Sequence, residues 1–189
     1  EYMQADILDL GKLTRQFDII ECVGVLHHME NPMKGWEILT DCLNPGGLMN
    51  VGLYSELGRY HIVKIREEIS KLNIRSLDNE MKSFRTSIIK SNKDYHKLLL
   101  NSDDFYSLST LKDLLFHVQE HRFTIPKIKD HLDKLGLKFC GFEGKMIENF
   151  KLCHPKETDP YKLNKWQVYE KANPQVFFGM YQFWRQKVV

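Results

Sequence analysis

Two histidines in succession, His27 and His28, stand just beyond a nearly unbroken apolar run of Ile19, Ile20, Val23 and Val25. An imidazole titrates near neutral pH, so a histidine in such a loop can take a proton from a substrate nitrogen or oxygen. His28 is the better candidate for that role; His27 equally fits a ring that is solvated or bonded to a backbone carbonyl. A second constellation is His117-Val118-Gln119-Glu120-His121. This is the HxxEH spacing by which a helix turns two imidazoles onto one face to bind zinc, with the glutamate as general base of a peptidase. Such a centre needs a third ligand downstream. Glu143, Glu148, Glu157 and Glu170 exist, but none sits in a motif of its own, and no metal is expected. The other readings make His117, Glu120, His121 and Arg122 polar residues of a half-buried helix, or groups that face a substrate.

The elements that must position these residues can be read from apolar periodicity and its punctuation. Residues 17–54 read as strand, loop, helix, turn and strand, one right-handed βαβ unit. The apolar run from Ile19 to Val25 suits a parallel strand covered on both faces. Asn31 caps a helix with Pro32 at its first position; Met33, Trp36, Leu39 and Leu43 recur at helical spacing, and Asn44-Pro45-Gly46-Gly47 stops it. The run Leu48 to Tyr54 is the second strand. The loop between strand and helix, residues 24–29, lies at the carboxyl end of a strand, where α/β sheets bind their ligands.

These motifs resemble the second half of the core of a class I S-adenosylmethionine-dependent methyltransferase. The resemblance is carried by Phe17-Asp18-Ile19-Ile20, by Leu26-His27-His28, by Leu43-Asn44-Pro45-Gly46-Gly47, and by the acidic segment Gln4-Ala5-Asp6-Ile7-Leu8-Asp9. It implies a methyltransferase that uses S-adenosylmethionine, on a partial Rossmann-like α/β sheet that is mostly parallel. Asp6 would hold the adenine amino group, Ile7 would lie against the ring, and Glu21, Cys22, Val23 and His27 would line the cofactor floor. His28 would stand where the methyl group is delivered. Methyl transfer is an in-line displacement that depends on placing the nucleophile, so a general base is not obligatory. The family's glycine-rich loop belongs before residue 1. The resemblance therefore implies the carboxyl-terminal part of a longer enzyme, inactive by itself, whose methyl acceptor is a small molecule or a protein. An alternative is an interaction or assembly module of the same fold that lacks catalysis.

Beyond the βαβ unit, a helix through about Leu72 carries the stripe Ile62, Ile65 and Ile69. Between Arg59 and Lys97 ten Lys or Arg face five Asp or Glu, an excess of five that reads as a solvated helical face or as a cap presenting charge to an anionic substrate. Tyr54, Arg59 and Arg66 are the substrate candidates nearest the second strand's end. Residues 90–104 read as a loop. A helix from Ser107 or Ser109 through Val118 comes next. Thr124-Ile125-Pro126 opens another helix, which ends at Gly136, and Leu137 to Phe142 forms a strand expected beside the second one. Residues 148–153 are a poor candidate for the family's closing antiparallel strand, and the aromatic end, Trp166 to Trp184, reads as a helical tail.

The expected organisation is therefore residues 1–58 as half of a cofactor-binding core, 59–122 as a helical insertion, 123–154 as the last core helix and strand, and 155–189 as the tail. With 27 basic and 25 acidic residues, the net charge of +2 makes nucleic acid an unlooked-for partner. No apolar run is long enough to span a membrane. Four scattered cysteines without a CxxC pair indicate a reduced, cytoplasmic setting. The apolar edge from Phe17 to Val25 is expected either to pair with an amino-terminal segment of the same protein or to self-associate.

Overall fold

Asn31 turns the chain into its first long helix: its side chain accepts the amide of Lys34 at 3.1 Å, and Pro32 occupies the first turn, where its missing N–H costs nothing. That helix, α1 (Pro32–Asp41), joins two parallel strands, β1 (Phe17–Cys22) and β2 (Leu43–Leu53). Phe17 pairs with Leu43 and Ile19 with Leu48, so the NPGG residues bulge out of the ladder between them. The computed structural model describes residues 2–117, 119–154 and 159–188. Glu1, Val118 and Glu157 lie outside the described residues.

Two compact units form, Glu1–Gly58 with Gln119–Val189, and Arg59–Val118. In the first, α6 (Ile125–Lys134) leads into β3 (Leu137–Phe142), and then come α7 (Met146–Cys153), α8 (Leu163–Ala172) and β4 (Tyr181–Lys187). The sheet order is β1-β2-β4-β3, with β4 antiparallel to both its neighbours. Two expectations are corrected here. The α/β fold stands, but β3 does not lie beside β2, because β4 inserts between them. The carboxyl-terminal segment is not wholly helical: α8 gives way to a strand in which Tyr181, Phe183 and Arg185 point into the core and alternate with half-exposed Gln182, Trp184 and Gln186. Residues 148–153 belong to α7. Residues 119–122, expected in the insertion, fall with the sheet unit.

Trp36, Leu39, Met49, Val51, Ile128 and Phe183 form the centre of the core on the face of the sheet that α1 covers. Lys187 fastens the end of that helix, its Nζ donating to the carbonyls of Thr40 at 2.9 Å and Leu43 at 2.8 Å, where a cation also complements the helix dipole. β1 is the departure from a strand buried on both sides. It is the edge of the sheet, and Ile19 is 61% exposed.

The helical unit holds α2 (Tyr60–Lys71), α3 (Asp78–Ile89), α4 (Asp94–Leu99) and α5 (Leu108–Phe116) around Ile62, Ile65, Phe84, Ile88, Leu99 and Phe105. Residues 90–104 are therefore not a plain loop; fully buried Leu99 and Phe105 pin a short helix and a 3-10 turn there. Glu68 ties α2 to α4 within this unit. Its carboxylate meets Lys93, Tyr95 and, at 2.7 Å, Nε2 of His96. Burial would raise its pKa, but those three hydrogen bonds outweigh burial and bring it down to about 2.

This packing has two measurable consequences. A carboxylate whose pKa falls on folding contributes stability above its unfolded pKa and loses it as pH drops through the folded value. The Glu68→Gln variant should therefore be less stable than the parent near neutral pH and should converge with it between about pH 5 and pH 2 in urea titrations; parallel curves would refute the assignment. The second concerns Arg185, fully buried, stacked over Trp36 at 4.4 Å, and lacking an acceptor for Nε and Nη1 among the described residues. Burial drives its pKa well below that of a free guanidinium. A desolvated cation–π contact is worth about 2 kcal/mol, whereas taking a guanidinium out of water costs several. Arg185→Met should thus be neutral or stabilising by about 1–4 kcal/mol. A loss beyond about 3 kcal/mol, the cost of breaking a buried pair, would show that the charge is compensated.

Candidate functional site

After β1 the chain reverses through Gly24, whose φ of +80° is open to glycine and strained for other residues, and then enters the 3-10 turn Leu26–His28. This turn places the two histidines differently. His27 is fully buried and stacked against Tyr54, ring centroids 3.7 Å apart. His28 is half-buried, edge-on to Tyr54 at 5.7 Å, with its Nδ1 3.0 Å from the backbone carbonyl of Gln119. A carbonyl can only accept, so Nδ1 carries the proton in the neutral ring, and Nε2 becomes the basic nitrogen.

The wall behind these rings is the segment that begins at Gln119. Its side-chain amide donates to the Met29 carbonyl at 3.2 Å and lies 3.4 Å from Nε2 of His121. The His121 amide donates to the His27 carbonyl at 2.8 Å; Phe123 N–H donates to Tyr54 O at 2.8 Å, and Glu56 N–H to Phe123 O at 2.9 Å. Three stretches of chain, the His27 turn, residues 119–123 and residues 54–56, are thus stitched together at the carboxyl ends of β1 and β2. Gln119 and Phe123 were not named as candidates from the sequence, although their neighbours Glu120, His121 and Arg122 were.

The other candidates lie in different places. Ile7, Glu21, Cys22 and Val23 line a groove of about 520 Å³ along the free edge of β1, together with Leu10 and Leu39. Burial pushes the Cys22 thiol up, partly countered by Arg185, which suits a lining residue better than a nucleophile. Asp6 is exposed and caps the 3-10 helix Ile7–Lys12, its Oδ1 accepting the Leu8 amide at 2.8 Å. It is not part of the groove wall, although Ile7 beside it is. Arg59, Arg66 and His117 belong to the helical unit, where Arg59 is buried at the start of α2 and Arg66 donates to the Leu114 carbonyl at 2.9 Å.

The HxxEH reading fails on its helical premise. Helix α5 ends at Phe116, His117 is already extended (φ −61°, ψ 132°), and Gln119 to Arg122 have no regular secondary structure. The carboxylate of Glu120 is nearly fully buried and pairs with Arg122 at 3.4 Å. Among the described residues no group of three His, Cys, Asp or Glu is placed to hold a metal ion, and no helix is long and apolar enough to cross a membrane.

Comparison with known proteins bears on this geometry. Residues 1–51 match the family described as "Methyltransferase domain". The protein syc1184_c of Synechococcus sp. is 28% identical over 193 residues, covering 93% of this chain and 45% of that protein. Two structures of PKMT2 from Rickettsia typhi, one of them in complex with AdoHcy, each align with a TM-score of 0.68 at 19% identity, covering 96% of this chain and 37% of theirs. The chain therefore spans less than half the length of the relatives it matches. The first 51 residues are thus similar to a methyltransferase domain, and the chain shares its fold with the PKMT2 structures.

Proposed function

We propose that this chain supplies the adenine end of the cofactor site and part of the acceptor site of an S-adenosylmethionine-dependent methyltransferase. The observation that carries the reading is the pairing, on one edge of one sheet, of an apolar groove with a histidine whose basic nitrogen is defined by a backbone carbonyl. The residues fit the adenine end of the cofactor: the groove offers Ile7, Cys22 and Val23 as apolar lining, Glu21 as a polar one, and Asp6 stands beside it as an exposed acceptor for an amino group. His27, locked against Tyr54, borders the same strand end. Bound S-adenosylmethionine would supply an electrophilic methyl group on sulfonium sulfur. His28 would receive, at Nε2, the proton that an acceptor nitrogen or oxygen sheds. Tyr54, His121, Glu120 and Arg122 border the acceptor, and Arg59, Arg66 and His117 are candidates for acceptor recognition by the helical unit. The acceptor itself is a small molecule or a protein. Four free cysteines are consistent with a reduced, cytoplasmic setting.

Binding tests the reading. Because the described residues grip only the adenine end, the 189-residue chain should bind S-adenosylmethionine more weakly than micromolar in calorimetric titration. In the longer protein, Asp6→Ala should raise the cofactor dissociation constant without altering the circular dichroism spectrum. Micromolar binding by the short chain, or unchanged affinity in folded Asp6→Ala, counts against this assignment.

The exposed edge supports a proposal about partners. Among the described residues nothing pairs with the outer side of β1, which carries apolar side chains and has no proline or lysine from Phe17 to Val25 to blunt it. We infer that a further strand pairs there, from amino-terminal sequence of the same protein or from a second copy; an assembly module without catalysis would use the same edge. Sedimentation of the 189-residue chain should show self-association that is abolished by adding the amino-terminal segment. A monomer at high concentration in the absence of that segment would refute this.

A further inference from the structure

One buried carboxylate in the sheet unit takes no part in the chemistry above. Glu170 on α8 is 3% exposed, and one oxygen, Oε1, accepts from two hydroxyls: Ser55 Oγ at 2.7 Å and Tyr181 Oη at 2.6 Å. Ser55 is itself fully buried, and its Oγ in turn accepts the Gly58 amide at 2.9 Å. The donors and acceptors run in one direction, from Gly58 N–H through Ser55 to Glu170, which leaves the Ser55 hydroxyl a single orientation. Gly58 admits no side chain here, since a Cβ would stand 2.2 Å from the Phe177 carbonyl oxygen.

A carboxyl group in a core is costly, and an apolar side chain of the same size would ordinarily pack there with less penalty. Burial pushes both Glu170 and Tyr181 up from their ordinary pKa values. The benefit that the group brings is geometric. Ser55 directly succeeds Tyr54, the residue whose ring stacks on His27 and stands edge-on to His28. The backbone on either side of Ser55 is held by Phe123. Those backbone bonds tether the segment on the side that faces Phe123. The side-chain anchor at Ser55 adds a second hold in a different direction, and successive side chains in an extended segment point to opposite sides, so the setting of Ser55 bears on the pitch of the Tyr54 ring.

We propose that Glu170 is a positioning residue for the methyl-transfer site: by holding Ser55 it holds the Tyr54 ring over His27, and through that stack orients the His27-His28 turn. The proposal rests on the functional reading above only for the role of the turn; the geometric coupling stands apart from it.

The test observes the histidines directly. In the folded chain with isotopically labelled histidine, the ring current of Tyr54 should displace the His27 ring protons upfield. Ser55→Ala and Glu170→Ala should each return them toward the position of an unstacked imidazole, and the double variant should go no further than either alone. Glu170→Gln, which keeps an acceptor oxygen, should restore the parent spectrum. Tyr181→Phe removes the other hydroxyl without touching Ser55, so it should leave His27 in place while costing comparable stability. The indole N–H of Trp166, bonded to the Pro160 carbonyl at 2.9 Å, reports that the core is intact. Ser55→Ala is the mildest change and keeps the experiment decisive if Glu170→Ala does not fold. An unmoved His27 signal in folded Ser55→Ala overturns the proposal, as does an equal displacement in Tyr181→Phe, which would mean general loosening. In the longer enzyme, Ser55→Ala should lower kcat by about ten- to a hundredfold, as expected of a misplaced reacting group. Absence of methyl transfer with the spectral coupling intact would remove the functional reading and leave the positioning network standing.

Discussion

The structure depends on the insertion of β4 between β2 and β3. A parallel pair such as β1 and β2 leaves the far side of β2 with unpaired amides and carbonyls, and among the described residues the strand that satisfies them is β4, more than a hundred positions downstream. β3 is joined to the sheet through that strand. Its register puts Arg185 opposite Met49 and Phe183 opposite Val51, so the inward residues of β4 complete the core beneath α1. Lys187, at the end of the same strand, reaches the carbonyls that close α1. Removing residues 181–187 would therefore open the middle of the sheet and not merely trim an edge.

That dependence explains which parts were legible. The βαβ unit announces itself because every signal in it is local: Asn31 and Pro32 start the helix, NPGG ends the crossover, and the flanking runs are continuously apolar. Strand β4 was present in the sequence too, as the alternation of Tyr181, Phe183 and Arg185 with Gln182, Trp184 and Gln186. Two features disguised it. An arginine at an inward position breaks the apolar pattern, and the aromatic density of α8 invites the same helical reading for residues 181–187. In the helical unit, α4 escaped detection because it is too short to show periodicity and Glu68, which ties it to α2, lies twenty-five or more positions earlier.

The candidate site divides along the same line. His27, His28, Cys22 and Val23 were recognisable from their place at a strand end, because that place is topological and is encoded locally. Gln119 and Phe123 were not singled out, because their roles are contacts with residues about seventy to ninety positions away. The HxxEH pattern shows the converse error. Its spacing is meaningful only on a helix, and α5 stops one residue before it begins. The same stretch serves a different purpose: off the helix, His121 gives its amide to the His27 carbonyl, and Phe123, just beyond the pattern, gives its amide to the Tyr54 carbonyl.

The two kinds of polar burial in the sheet unit separate tuning from support. Arg185 is buried without acceptors for two of its nitrogens among the described residues and rests on Trp36 and its neighbours, so it takes its position from the core. Glu170 is buried with both of its hydroxyl donors supplied by defined positions, one on β4 and one at the turn beyond β2, so it gives position to others. The second arrangement couples the centre of the sheet to the loop that bears Tyr54. The insertion of β4 therefore does more than pair with β2: Tyr181, its first residue, gives Glu170 its second hydroxyl donor, so the carboxylate that anchors Ser55 also meets the strand that completes the core.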